Sequence, residues 1–167
     1  NIESNSNEEF DISFSARYML EALKTFKNAK RRFAESKIGD VVIIDDYAHH
    51  PTEIKVTLEA ARQKYPNKKI IAVFLPNTYS RTEALLPDFI ECLKTADKAY
   101  VMDIYCDRES QEDYPNVSSN NIIAGVPGSE KVSVETVEKL LKYKDAVLCF
   151  RIRLSLIFLT STASSLI

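Results

Sequence analysis

The sequence predicts an α/β fold with a mostly parallel sheet flanked by helices. Three observations carry this. Apolar runs recur at residues 41–44 (VVII), 69–75 (KIIAVFL), 98–105 (KAYVMDIY) and 145–150 (DAVLCF), each short and largely without polar alternation, as strands covered on both faces are. Between them lie stretches with helical spacing, the pattern of strand–helix–strand units joined by right-handed crossovers. The composition is that of a globular domain, 45% hydrophobic and 28% charged. A net charge of −2 gives no electrostatic footprint for nucleic acid or an anionic membrane as partner.

Taken in order, residues 1–11 are rich in Asn, Ser and Glu and read as a disordered start. Residues 15–28 carry amphipathic spacing through Tyr18, Leu20, Leu23 and Phe26, with Ser15 placed to cap a helix. Lys30-Arg31-Arg32-Phe33 breaks that pattern as a short basic link. After the first strand, Pro51 suits the first turn of a helix over residues 51–64, whose stripe is Ile54, Leu58 and Ala61 with Val56 alongside. Tyr65-Pro66-Asn67 ends it, because proline cannot continue a helix and restricts its predecessor. The second strand runs into Pro76-Asn77-Thr78-Tyr79. Ser80-Arg81-Thr82-Glu83 then has the form of a capping box, for a helix with Leu85, Leu86, Phe89, Ile90 and Leu93 on its core face. Residues 106–121 read as a long polar loop, Ile122-Ile123-Ala124 as a short element, and Ser133 as the cap of a helix through Val134, Val137, Leu140 and Leu141.

Residues 151–167 do not continue the pattern. After Arg153 they are uncharged and Ser/Thr-rich, and shorter than the roughly 20 apolar residues of a comfortable membrane span. They read as an aberrant apolar tail, of the kind a frameshift or truncation leaves. Cys92, Cys106 and Cys149 are scattered without CxxC or metal-ligand spacing, which suits reduced thiols in a cytoplasmic protein. The start has no signal-peptide pattern and no initiating Met, so a longer gene product is expected.

In a parallel sheet the loops that follow the strands share one edge, so residues 45–50, 76–81 and 103–108 are expected to face one crevice. The first loop is the densest in chemistry: Asp45, Asp46, Tyr47, His49 and His50, including both histidines of the chain. Adjacent residues of an extended chain point in opposite directions. One histidine is therefore expected to face the crevice while the other packs or caps, and no shared metal is expected. Asp45 and Asp46 can hold Mg²⁺ beside phosphates, or one of them can cap the loop or pair with a cation. Arg81 suits an anion, since guanidinium holds a carboxylate bidentately; the alternative is a surface arginine in a first turn. Tyr47 and Tyr79 fit either a core or a wall for a base or sugar. The only glycines are Gly39, Gly125 and Gly128, with no GxGxxG or GxxxxGK[ST], so a nucleotide here would need its phosphates gripped from elsewhere.

The stretch DDYAHHPTE, from Asp45 to Glu53, resembles the signature of the Mur ligases of peptidoglycan synthesis, and most of all that of the UDP-N-acetylmuramate–L-alanine ligases. Lys30-Arg31-Arg32-Phe33 before it and FLPNTYSRT after it agree in order and spacing. Leu75 and Asn77 stand where the family usually has Gln and His, and a GAGD-like segment expected after Phe150 is replaced by Arg151 and an unrelated apolar string. The resemblance implies a Rossmann-like C-terminal ligase domain over residues 30–150, with residues 1–29 a disordered start plus the last helix of the ATP-binding central domain. It further implies ATP- and Mg²⁺-dependent amide formation between UDP-N-acetylmuramate and L-alanine through an acyl phosphate. The N-terminal and central domains would complete that enzyme, and this fragment would hold no cofactor and be inactive alone. By position, His49 and Arg81 would hold the amino-acid carboxylate, and Asp46 and Tyr47 would lie on the nucleotide side. Asp45, His50, Asn77 and Thr78 are further candidates. Two other readings of the residues stand beside this one: a degenerate module binding a nucleotide or amino acid, and an unrelated metal-dependent hydrolase or phosphoryl-transfer enzyme.

Overall fold

The computed structural model of the chain describes residues 32–150; the expectations for residues 1–31 and 151–167 lie outside the described residues. In chain order the elements are β1 (Ala34–Ile38), β2 (Val41–Asp45), α1 (Pro51–Lys64), β3 (Lys69–Phe74), α2 (Tyr79–Ala84), α3 (Leu86–Leu93), β4 (Lys98–Val101), α4 (Ser119–Gly125), β5 (Glu130–Lys131) and β6 (Ala146–Phe150). Two 3₁₀ turns, Gln111–Asp113 and Val137–Lys142, complete them. The strands form one sheet in the order β1-β2-β6-β3-β4-β5, antiparallel only between β1 and β2. The α/β architecture predicted from the apolar runs is the one observed.

Crossover handedness explains how the two faces are covered. From β2 to β3, β4 and β5 the connections step in one direction across the sheet, and right-handed crossovers then place them all on one face. There Ile54 and Leu58 of α1, Phe89 and Leu93 of α3 and Ile122 of α4 pack on Val42, Ile44, Ile70 and Ala72. The return from β5 to β6 steps the other way and lands on the opposite face, where Val137 and Leu140 meet Val41, Ile43, Ile71 and Val73. Each fully buried aliphatic side chain in these clusters stabilises the fold by about 1.5–3 kcal/mol.

Several expectations need correction. No element was expected between Phe33 and Val41, yet β1 lies there and pairs with β2 across a two-residue turn, with Gly39 at φ +57 and Ile38 opposite Val41. Val56 is 58% exposed and lies off the core stripe of α1. The helix expected from Ser80 to Leu93 is two helices. Pro87 has no N–H to give the Glu83 carbonyl, so α2 stops at Ala84 and α3 restarts around Leu85. The third strand pairs only as far as Val101. Its ladder lapses after the Met102 N–H reaches the Phe74 carbonyl, then returns as a single bridge between Asn77 and Tyr105. The short element read at Ile122-Ile123-Ala124 is α4, which begins at Ser119 inside the stretch read as a loop, and the helix expected from Ser133 is the 3₁₀ turn Val137–Lys142.

Candidate functional site

The parallel register fixes which side chains share an edge. Asp45 is level with Phe150 on β6, and Phe150 is level with Val73 on β3. The loop after β2 and the loop after β3 therefore rise from the same edge, flanking the end of β6 at two strand spacings, about 10 Å. The loop after β4 adjoins the second of these.

In the first loop the backbone is held by its own acids. Asp46 accepts the Ala48 N–H at 2.8 Å through Oδ1 and the Phe33 N–H at 2.9 Å through Oδ2. The second contact ties the loop to a residue at φ +48, a backbone state that a bulky side chain seldom adopts. Glu53 does the same for the helix entry. Its Oε2 accepts the N–H groups of His49 at 3.0 Å and His50 at 3.1 Å, and these bonds hold its carboxyl below the usual carboxylate range, with the charges of His49 and Arg32 contributing.

The two histidines divide as alternation in an extended chain demands. His50 is the N-cap of α1: its Nδ1 accepts the Thr52 N–H at 3.3 Å, and with Glu53 it completes a capping box. The His49 ring turns elsewhere. Its Nδ1 lies 3.1 Å from the Tyr47 carbonyl and 3.6 Å from Glu53 Oε2, both acceptors, so Nδ1 carries a proton and Nε2 is left for other work. Tyr47, 49% exposed, stands edge-on to the same ring at 5.5 Å.

The second loop carries Asn77, Thr78 and Arg81. Thr78, not Ser80, is the N-cap of α2: its hydroxyl accepts the Arg81 N–H at 3.4 Å, and its carbonyl accepts the buried Thr82 hydroxyl at 2.8 Å. Thr78 does this at φ +66 and ψ 140, a region normally left to glycine. The Asn77 amide donates to the Tyr105 carbonyl at 3.4 Å, which draws this loop against the one after β4. Among the described residues no carboxylate lies within 4.0 Å of the Arg81 guanidinium in an ion pair.

Two partners escaped the sequence reading. Glu109 binds Ser80 from the loop after β4, and the Tyr114 ring stacks on Tyr79 at 5.9 Å with 13° between planes. No local signal marks either, because each acts on a residue about thirty positions away. Glu53 was legible as an acid three residues after a cap. The thiols of Cys92 and Cys149 are buried and pushed up to about 12 by that burial, with Asp88 and Asp46 adding negative charge nearby. Both serve as packing groups.

The sequence model of the family described as Mur ligase, glutamate ligase domain, matches residues 31–150. The chain belongs to the Mur ligase family. A curated Mur ligase relative, the UDP-N-acetylmuramate–L-alanine ligase of Lactobacillus johnsonii, is 50% identical over 130 residues, 78% of this chain and 29% of that protein. The chain thus spans about three-tenths of the length of the curated relatives it matches. The crystal structure of a UDP-N-acetylmuramate–alanine ligase from Thermotoga maritima shares the Mur ligase fold, with a TM-score of 0.62 at 24% identity over 92% of this chain and 36% of that one. A single domain solved from a Haemophilus ducreyi protein has a TM-score of 0.54 at 19% identity, and the match covers 80% of this chain and 98% of that one.

Proposed function

We propose that this chain is the C-terminal part of an ATP-dependent ligase joining L-alanine to UDP-N-acetylmuramate, and that its sheet edge holds the amino acid. What carries the reading is the placement of Arg81. Its guanidinium has no ion-pair partner among the described residues, it stands on a first turn fixed by Thr78, and it shares an edge with His49. A carboxylate there can take two parallel N–H donors from Arg81, each a charge-assisted bond. His49 fits the same anion from the opposite loop. Its Nδ1 lies against the Tyr47 carbonyl, which leaves Nε2 as the ring atom for a ligand, a donor to an anion in the imidazolium form.

The described residues do not fit the phosphates of a nucleotide. Both oxygens of Asp46 already serve backbone amides, and the sequence has no glycine-rich cradle. ATP and Mg²⁺ are therefore assigned to the central domain of the complete enzyme, with Asp46 and Tyr47 at the near wall and Asp45, His50, Asn77 and Thr78 as framework. Such a reaction on a nucleotide-linked sugar is placed in the cytoplasm. Among the described residues no helix is long and apolar enough to cross a membrane.

The test is a hybrid enzyme in which residues 31–150 replace the matching segment of the Lactobacillus johnsonii ligase. Alanine-dependent phosphate release is expected from the hybrid and none from the 167-residue chain alone. A folded hybrid without turnover, or a chain that turns over unaided, would contradict the proposal.

A further inference from the structure

We propose that Glu109 is a positioning residue that sets the direction of the Arg81 guanidinium by holding Ser80. The inference rests on the reading of Arg81 as the amino-acid anion holder. Glu109 lies 29 residues beyond Ser80, in the polar stretch after β4, and both of its oxygens are used on that one residue. Oε2 accepts the Ser80 N–H at 3.0 Å, and Oε1 accepts the Ser80 hydroxyl at 2.5 Å. The next residue, Arg81, has its own N–H on the Thr78 hydroxyl. The backbone that bears the guanidinium is thus gripped locally by Thr78 and from a separate segment by Glu109.

The stretch around Glu109 is braced for this task. The Glu109 N–H points at the Cys106 sulfur at 3.2 Å, and the Gln111 amide donates to the carbonyls of Tyr114 and Val117 at 2.7 and 3.0 Å. The same stretch also holds the residues before Ser80. The Tyr105 carbonyl accepts the Thr78 N–H at 3.2 Å, the Tyr105 N–H reaches the Pro76 carbonyl at 2.9 Å, and Tyr114 covers Tyr79. A long polar loop would ordinarily be loose; this one is fastened at residues 105, 109 and 114 to residues 76–80, which lead into Arg81.

The chemistry of the grip also matters. Glu109 is near enough for Arg81 to lower its carboxyl, after the larger effect of the Ser80 bonds, yet the two groups form no ion pair. A direct salt bridge would cover the guanidinium. By binding the residue before it, the carboxylate steadies Arg81 and leaves its donors for a ligand.

Two readouts test this, one independent of catalysis. In the 167-residue chain, the Ser80 amide resonance should follow a single carboxylate titration lying below the usual glutamate range, and Glu109→Gln should abolish that response. Glu109→Ala should broaden or shift the Arg81 side-chain Nε resonance. An unchanged Ser80 titration in Glu109→Gln, or an unchanged Arg81 signal in Glu109→Ala, overturns the proposal whatever the enzyme does. In the hybrid enzyme, Glu109→Ala should raise the alanine KM about ten-fold while kcat and the ATP KM move less than about two-fold. Glu109→Gln keeps an oxygen for the Ser80 amide and should recover part of the loss. Equal shifts for both substrates, with a lowered Tm, would make Glu109 a general structural residue and overturn it too. A hybrid inert even with Glu109 in place counts against the ligase reading, and Glu109 is then judged on the resonances.

Discussion

Asp46 stands in a motif where a carboxylate invites a ligand, yet both its oxygens hold backbone N–H groups. Asp46→Asn turns one acceptor into a donor and leaves the Phe33 or Ala48 N–H unmatched. A loss of about 1–3 kcal/mol in urea denaturation is expected; unchanged stability would show that these bonds are dispensable. Thr78 makes the opposite point. At φ +66 it carries strain of about 1–3 kcal/mol, while the cap it provides is worth only a few tenths over glycine. Thr78→Gly should therefore leave thermal stability unchanged or raised, and a fall beyond about 1 kcal/mol would contradict the strain argument. Strain retained beside Arg81 is what a functional loop shows. The ionisable residues of this site are legible in the sequence but their division of labour is not, since His49 and His50 are adjacent and only the extended backbone decides which one caps.

Among the elements, the strands buried on both faces were legible from composition alone. β1 was not: Ala34, Glu35, Ser36 and Lys37 are all exposed, so no apolar alternation marks them, and the one available signal is the Gly39-Asp40 dipeptide before the apolar run. It is fastened instead by polar contacts, Lys64 and Tyr65 of the α1 end reaching the Glu35 carboxylate at 2.6 Å each. The crossing of α3 and α4 depends on a missing side chain. A Cβ on Gly125 would stand 2.2 Å from Ile90 Cδ1, so Gly125→Ala must displace that side chain, at a cost of about 1–3 kcal/mol. Ile90→Val removes the nearest of the obstructing atoms, leaving Cγ1 at 2.7 Å, and should recover only part of the loss in the double variant; denaturation of the single and double variants decides this.

At the scale of the whole molecule, carboxylates clip segments together across the described residues. Lys64 and Tyr65 hold the Glu35 carboxyl low, the His49 amide holds Glu53 low, and Arg62 with the Ile70 N–H holds Asp97 low against its burial. A carboxyl whose folded pKa is depressed contributes its full stability above its unfolded value and loses it as pH falls through the folded one. Tm should accordingly be flat from pH 7 to about pH 5 and decline below about pH 4. A decline beginning near neutrality would implicate groups other than these. The fold and the shared edge followed from periodicity and topology, which are local and combinatorial. Contacts such as Glu109 with Ser80 did not, because nothing in either segment names the other.

The central claim is that this edge holds the amino acid, with Arg81 gripping its carboxylate. The most direct measurement is the pair of Michaelis constants of the hybrid enzyme with and without Arg81→Ala. Loss of a charged hydrogen-bond partner costs about 1.5–3 kcal/mol, so the alanine KM should rise about ten-fold or more while the ATP KM stays within about two-fold. Equal changes in both constants, or none in either, would contradict the account.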